Sequence, residues 1–252
     1  MMLRSALALL LFLPGPFASA DTGTRDAKDI VRDAINHWRG TSSQGAMTMT
    51  IHRPDWERSM SMESWTQGDK RSLVRVTAPR KDRGNGTLMD GNNMWSFSPK
   101  INRVIKVPSS MMNQSWMGSD FSNKDISRAD DIVDQYDHIL LSEAPADDYV
   151  AYEIQAIPHE DAAVVWGEEV LVVRGDNVLL EHRFYDQDGE LVKALRTLEI
   201  GEMGGRTVAL QQRMEKADAA DEWTEIIVDS VEFDIELSDN VFTLSNLRNP
   251  RD

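Results

Sequence analysis

The residues best suited to acid–base or metal chemistry are five histidines, His37, His52, His138, His159 and His182. No two stand at the separation that puts zinc ligands on one helix or hairpin, and there is no HExxH. His159-Glu160-Asp161 follows Pro158 and reads as a solvated turn. Nucleophilic chemistry fares no better. No G-x-S-x-G elbow occurs, and Ser115 and Ser119 have no neighbouring His-plus-acid pattern. Gly84-Asn85-Gly86-Thr87 lacks the lysine of a phosphate-binding loop and reads as a turn. The chain has no cysteine, which excludes disulfides, thiolate zinc sites, cysteine nucleophiles and lipidation at a cysteine. The expectation is a binding protein rather than an enzyme, with no metal and no cofactor.

Methionine carries more information. Of 13 in the chain, nine lie between residues 47 and 117: Met47, Met49, Met60, Met62, Met89, Met94, Met111, Met112 and Met117. Trp56, Trp65, Trp95 and Trp116 fall in the same stretch. Thioether side chains are flexible and polarizable, so they suit irregular apolar shapes and surfaces that take varied apolar partners. Three readings are open. The methionines fill a core; they line a cavity for lipid or acyl chains; or Met47-x-Met49 and Met60-x-Met62 present thioethers to Cu(I), which soft ligands select. On the cavity reading the contact residues are Met47, Met49, Trp65, Met94 and Trp95. Over them lies an apolar lid of Met111, Met112, Trp116, Met117 and Phe121.

These residues need elements to hold them. Residues 1–20 read as an address: Arg4, an apolar run from Ala6 to Leu13, a Pro-Gly-Pro break, then Ala18-Ser19-Ala20. That is the pattern of a secretory signal peptide cleaved after Ala20. The run is too short to span a bilayer. The expectation is an exported, unanchored chain in a periplasm, with residues 21–252 forming one domain. From Asp26 to Arg39 the apolar residues Ala27, Ile30, Val31, Ala34, Ile35 and Trp38 keep helical spacing, and Gly40 follows as a stop.

After Gly45 the period becomes two. Met47, Met49 and Ile51 alternate with Thr48, Thr50 and His52; Val74 and Val76 with Arg75 and Thr77; Val150, Tyr152 and Ile154 with Ala151 and Glu153. Ile101, Ile105 and Val107 share a face with Arg103, and Trp223, Ile227, Val231, Phe233 and Ile235 form another. Gly68-Asp69, Gly91-Asn92, Asp188-Gly189 and Gly204-Gly205 mark turns. About ten strands without helical crossovers predict an antiparallel sheet. Residues 108–136, polar and acidic but studded with Met, Trp and Phe, are long for a connection and predict short helices or a lid. With 42 Asp and Glu against 27 Lys and Arg, the net charge of −15 argues against nucleic acid as a partner and for solubility.

Several strings resemble a known family. Asp90-Gly91-Asn92-Asn93 followed by Met94-Trp95-Ser96-Phe97-Ser98-Pro99 resembles a hairpin of the LolA-like superfamily, with Val104 where the next strand begins to pair. Ser72 to Pro79, Val107 to Met112 and Ser115-Trp116-Met117-Gly118-Ser119-Asp120-Phe121 resemble its outer-membrane lipoprotein-sorting-protein-like group, and Phe242-Thr243 is similar to that group's final strand. The resemblance runs from about Gly45 to Leu247. It implies a mainly β fold with a few helices: a strongly curved antiparallel sheet, an incomplete half-barrel, with helices covering its concave face over an apolar cavity. It further implies a monomeric carrier of lipid, lipoprotein acyl chains or another amphiphile, served by an inner-membrane exporter of the RND or ABC type. The same superfamily includes a stress sensor, RseB, so a regulatory binding module is the alternative. The 108–136 segment departs from the lipoprotein carrier itself.

Overall fold

The computed structural model describes residues 25–127, 130–146, 148–162 and 164–250; the signal-peptide segment lies outside them. Helix α1 (Ala27–Arg39) comes first. Six strands follow: β1 (Ser42–Arg53), β2 (Trp56–Gln67), β3 (Arg71–Ala78), β4 (Gly86–Asp90), β5 (Asn93–Ser98) and β6 (Arg103–Lys106). The next stretch holds a 3-10 turn (Ser109–Met111) and the short helices α2 (Asn123–Ser127) and α3 (Asp131–Asp134). Seven further strands are β7 (Tyr136–Ala146), β8 (Tyr149–Pro158), β9 (Glu168–Arg174), β10 (Leu179–Tyr185), β11 (Leu191–Met203), β12 (Arg206–Lys216) and β13 (Ala219–Phe233). A 3-10 turn (Asp239–Phe242) and α4 (Leu244–Arg248) end the described chain.

All thirteen strands form one antiparallel sheet in the order β6-β5-β4-β3-β2-β1-β13-β12-β11-β10-β9-β8-β7. The chain starts in the middle at β1 and walks outward by hairpins to the edge strand β6. It then passes to the opposite edge at β7 and walks back until β13 pairs with β1. The two edges do not pair, so the sheet stays open rather than closing into a barrel. Connectivity requires the segment between β6 and β7 to bridge the two edges, and its described residues, 107–127 and 130–135, lie across one face of the sheet. The stretch that reads as a lid is therefore an edge-to-edge strap.

Helix α1 forms where its spacing demands. Asp26 caps it, its carboxylate accepting from the Lys28 and Asp29 amides, and Gly40 ends it at φ +67°, a left-handed conformation that costs glycine least. Its buried stripe, Ala27, Ile30, Val31 and Ala34, packs with Ile132 and Val133 of α3 and with Tyr136, Tyr152, Ile154, Ala156, Leu171 and Val173 on β7–β9. Burying such a stripe supplies most of the stability of a 13-residue helix, because propensity alone is marginal at this length.

Three expectations change. There are thirteen strands among the described residues rather than about ten. Ile101 sits in a turn, and β6 has only four residues. Phe242-Thr243 is not strand: Phe242 closes a 3-10 turn and Thr243 caps α4, its hydroxyl accepting from the Asn246 amide. The reason is local, since the Ser238 and Thr243 side chains each satisfy a backbone amide and favour helical turns over a ladder.

Candidate functional site

Register fixes which side chains meet. Met47 lies opposite Met62, and Met49 opposite Met60, in the β1–β2 hairpin. On the other side Met47 faces Val228 and Met49 faces Ile226 of β13. All of these side chains point to the face crossed by α1 and the strap, which is the concave one. At one end of that face Met49, Ile51, Met60, Met62, Val74, Val76 and Met94 form a closed layer under Trp116. Met49 is 0% and Trp116 3% exposed. Trp116 is fixed there by its indole N–H, which donates to the Thr87 hydroxyl at 3.0 Å.

Beside this layer the same face holds a cavity of about 420 Å³. Its floor is the sheet, with Met47, Val74 and Met89 on one wing, Val208, Met214, Ile226 and Val228 in the middle, and Leu171, Phe184 and Leu195 on the other. Its roof is Val31, Ala34, Ile35 and Trp38 of α1, Trp116, Phe121 and Ile126 of the strap, and Ile132 of α3. Trp38, 42% exposed, stands where the cavity meets solvent. The volume falls in the range of small-molecule sites, and the wall is mostly hydrocarbon.

Polar groups enter at two places. On the β7–β10 wing, Glu169 is buried and its carboxylate accepts from the Tyr136 hydroxyl at 2.5 Å and pairs with His182 Nε2 at 2.6 Å. Burial, and then the adjacent Glu169 carboxylate, hold the Tyr136 phenol well above its ordinary pKa, so it stays a proton donor. The second place is the strap. Asp120 is sealed beneath it, where its carboxylate receives two hydrogen bonds from Arg53 (3.0 and 2.9 Å) and one from the Thr224 hydroxyl (2.6 Å). The Asp120 amide in turn donates to Thr224. Lys193 pairs with Asp125, Arg39 with Asp130 and Lys124 with Asp131. The acidic run thus ties the strap to α1 and the sheet through opposite charges.

The expected contact residues divide into groups. Met47, Trp116 and Phe121 line the cavity. Met49 and Met94 share its face but are packed shut in the adjoining layer, with Met112 and Met117 against its margin. Met111 is exposed at 41% and touches neither. Trp65 and Trp95 belong to the opposite face. They flank the row Trp65–Leu73–Leu88–Trp95 across β2–β5, which packs with Phe97 under Phe242 and Leu247 of the C-terminal segment. Alternation forces this result, because Ser64 pairs with Gly45 on the concave side and its neighbour Trp65 must point outward. Alternation also corrects the first half of the β13 stripe: Thr224, Ile226 and Val228 point inward and Ile227 is 39% exposed, whereas beyond a register shift Val231 of the expected stripe does line the cavity.

Sequence reading missed the whole second half of the wall. Phe184, Leu195, Met214, Ile226 and Val228 come from strands β10–β13, whose apolar residues fall on both faces, so no methionine cluster or clean alternation marked them. The copper reading meets a packing obstacle, since Met49, Met60 and Met62 are at most 1% exposed and enclosed by hydrocarbon.

Solved structures share this architecture. A DUF1329 family protein from Desulfovibrio piger superimposes with a TM-score of 0.79 at 25% identity, over 88% of this chain and 97% of that one. A putative outer membrane lipoprotein-sorting protein domain from Vibrio parahaemolyticus gives 0.76 at 20% identity, over 88% and 98%. A LolA superfamily protein from Nitrosomonas europaea gives 0.70 at 24%, over 86% and 97%. A family model described as that of an uncharacterized protein matches residues 68–249, most of the chain. The chain belongs to that family, and it shares its fold with the LolA superfamily protein. No curated protein is significantly similar to this chain in sequence.

Proposed function

We propose that this LolA-like chain is a periplasmic carrier that holds the hydrocarbon part of a lipid, a lipoprotein acyl group or another amphiphile between its sheet and its helical roof. It would take that cargo from an inner-membrane exporter toward the outer membrane. The observation that carries the reading is the cavity itself: about 420 Å³, hydrocarbon on floor and roof, and roofed by a strap held largely by side-chain contacts. Each methylene moved from water into such a site contributes about 0.8 kcal/mol, so a long chain has ample driving force. Displacing the strap opens the cavity without unpairing a strand. That is the mechanical property a carrier needs, since cargo must leave as well as enter.

The polar wing gives the cavity a direction. Hydrocarbon belongs against Met47, Val228 and Phe184, and a hydrogen-bonding group belongs near Tyr136, Glu169 and His182. A continuous thirteen-strand sheet favours the carrier over a sensor built from two separate domains. The experiment is native mass spectrometry of protein purified from the periplasm, with displacement of a fluorescent fatty acid by added phospholipid. Co-purified lipid and saturable displacement are expected. A protein that carries no lipid and does not bind the probe would sink the reading.

A further inference from the structure

The chain's charge is not spread evenly. Residues 79–106 hold Arg80, Lys81, Arg83, Lys100, Arg103 and Lys106, all exposed, in a chain whose net charge is −15. The only acids in that stretch are committed elsewhere, Asp82 to Arg58 on β2 and Asp90 to Arg71 on β3. Arg80, Lys81, Lys100, Arg103 and Lys106 have no ion-pair partner among the described residues, whereas Asp120, Asp125, Asp130 and Asp131 of the strap each face a cation. The fold brings the six together. The turn after β3 abuts the turn after β5, where Gly84 meets Pro99, and β6 runs along the edge beside them. Ile101 and Ile105, 57% and 51% exposed, stand among the cations.

We infer that this edge is a docking surface for an anionic phospholipid bilayer. Clustered Lys and Arg are drawn to anionic headgroups, and interleaved apolar side chains enter the headgroup boundary. The acidic remainder of the molecule is repelled by the same surface, so attraction and repulsion together orient the chain edge-down. An acidic polypeptide added as an extra strand fits less well. β6 offers only four residues of backbone, and half of the cations sit on the turn after β3 rather than along the strand. The strap leaves the sheet directly after β6, so the docked edge is continuous with the segment that roofs the cavity.

The inference stands apart from the cargo reading and is tested separately. Flotation assays would compare vesicles of phosphatidylcholine alone with vesicles containing about one-third phosphatidylglycerol, at low and high salt. Binding to the anionic vesicles only, weakened by salt, is expected. Arg80→Glu, Lys81→Glu, Lys100→Glu and Arg103→Glu combined should lower partitioning at least several hundredfold, because each cation contributes roughly fivefold. Ile101→Ser with Ile105→Ser should lower it further while keeping the salt dependence. Arg32→Glu, on the exposed side of α1, should leave partitioning nearly unchanged. The circular dichroism spectrum and urea midpoint of the fourfold variant should match the wild type, which shows that the fold survives. Equal binding to neutral vesicles, an unaltered response to charge reversal, or binding of polyglutamate in place of vesicles would each overturn the inference.

Discussion

At the scale of single residues, the structure separates side chains that shape the cavity from those that merely resemble them in type. Met47 and Met49 are two apart on one strand face, yet one lines the cavity and the other is sealed beneath Trp116. His138 is a different case. Both ring nitrogens are buried, and burial, only partly opposed by the Ile132 backbone, pushes its pKa below that of an ordinary imidazole. Between that lowered value and about 6.5, the unfolded chain holds a proton that the folded chain does not. Stability therefore rises with pH through this window and is lost as pH falls through it. Urea midpoints of wild type and His138→Leu, compared at pH about 7.5 and about 5.5, should show a larger acid loss in the wild type. Parallel losses would remove His138 as the cause.

At the scale of elements, the strap is the part that sequence composition described least well. Its acids look like a solvated run, but Asp120 has a side chain only 1% exposed, and it meets Arg53, Thr224 and, at 3.5 Å, Lys216. Asp120→Ala leaves Arg53, 14% exposed, with Glu222 at 3.6 Å as its remaining ion-pair partner. Breaking a buried pair from one side costs about 3 kcal/mol. The expected result is a lower denaturation midpoint with faster amide exchange concentrated in residues 107–127. A uniform rise in exchange across the sheet would show that the strap and sheet open as one unit. The hairpins, by contrast, behave as their turn residues suggest, with Gly68-Asp69, Gly91-Asn92, Asp188-Gly189 and Gly204-Gly205 each joining paired neighbours.

At the scale of the whole molecule, the proposed cargo depends on an empty volume that no single element creates. Val228 sits near the middle of the floor, opposite Met47. Val228→Trp should fill part of the cavity and weaken fatty acid binding about tenfold or more, at a stability cost of about 1–3 kcal/mol from overpacking. Unchanged affinity in a folded variant would place the ligand elsewhere. The charge distribution is also a whole-molecule property. A net charge of −15 predicts repulsion from anionic membranes everywhere, but the fold gathers six exposed cations at one edge, which is why an acidic chain is proposed to dock there.

Local rules in the sequence settled the elements. Helical spacing from Ala27 to Trp38, with Asp26 before it and Gly40 after it, determined α1 almost to the residue, because capping and amphipathic burial depend on near neighbours. Alternation and turn residues determined an antiparallel sheet for the same reason. They also put Met47 and Met49 on one face. Only tertiary structure decided that this face is concave, that Trp65 and Trp95 belong to the other, and that half of the wall comes from β9–β13. Those facts depend on register between strands far apart in sequence. A one-residue difference in register inverts every side chain of a strand, and nothing within the strand itself marks which face the distant helices will cover.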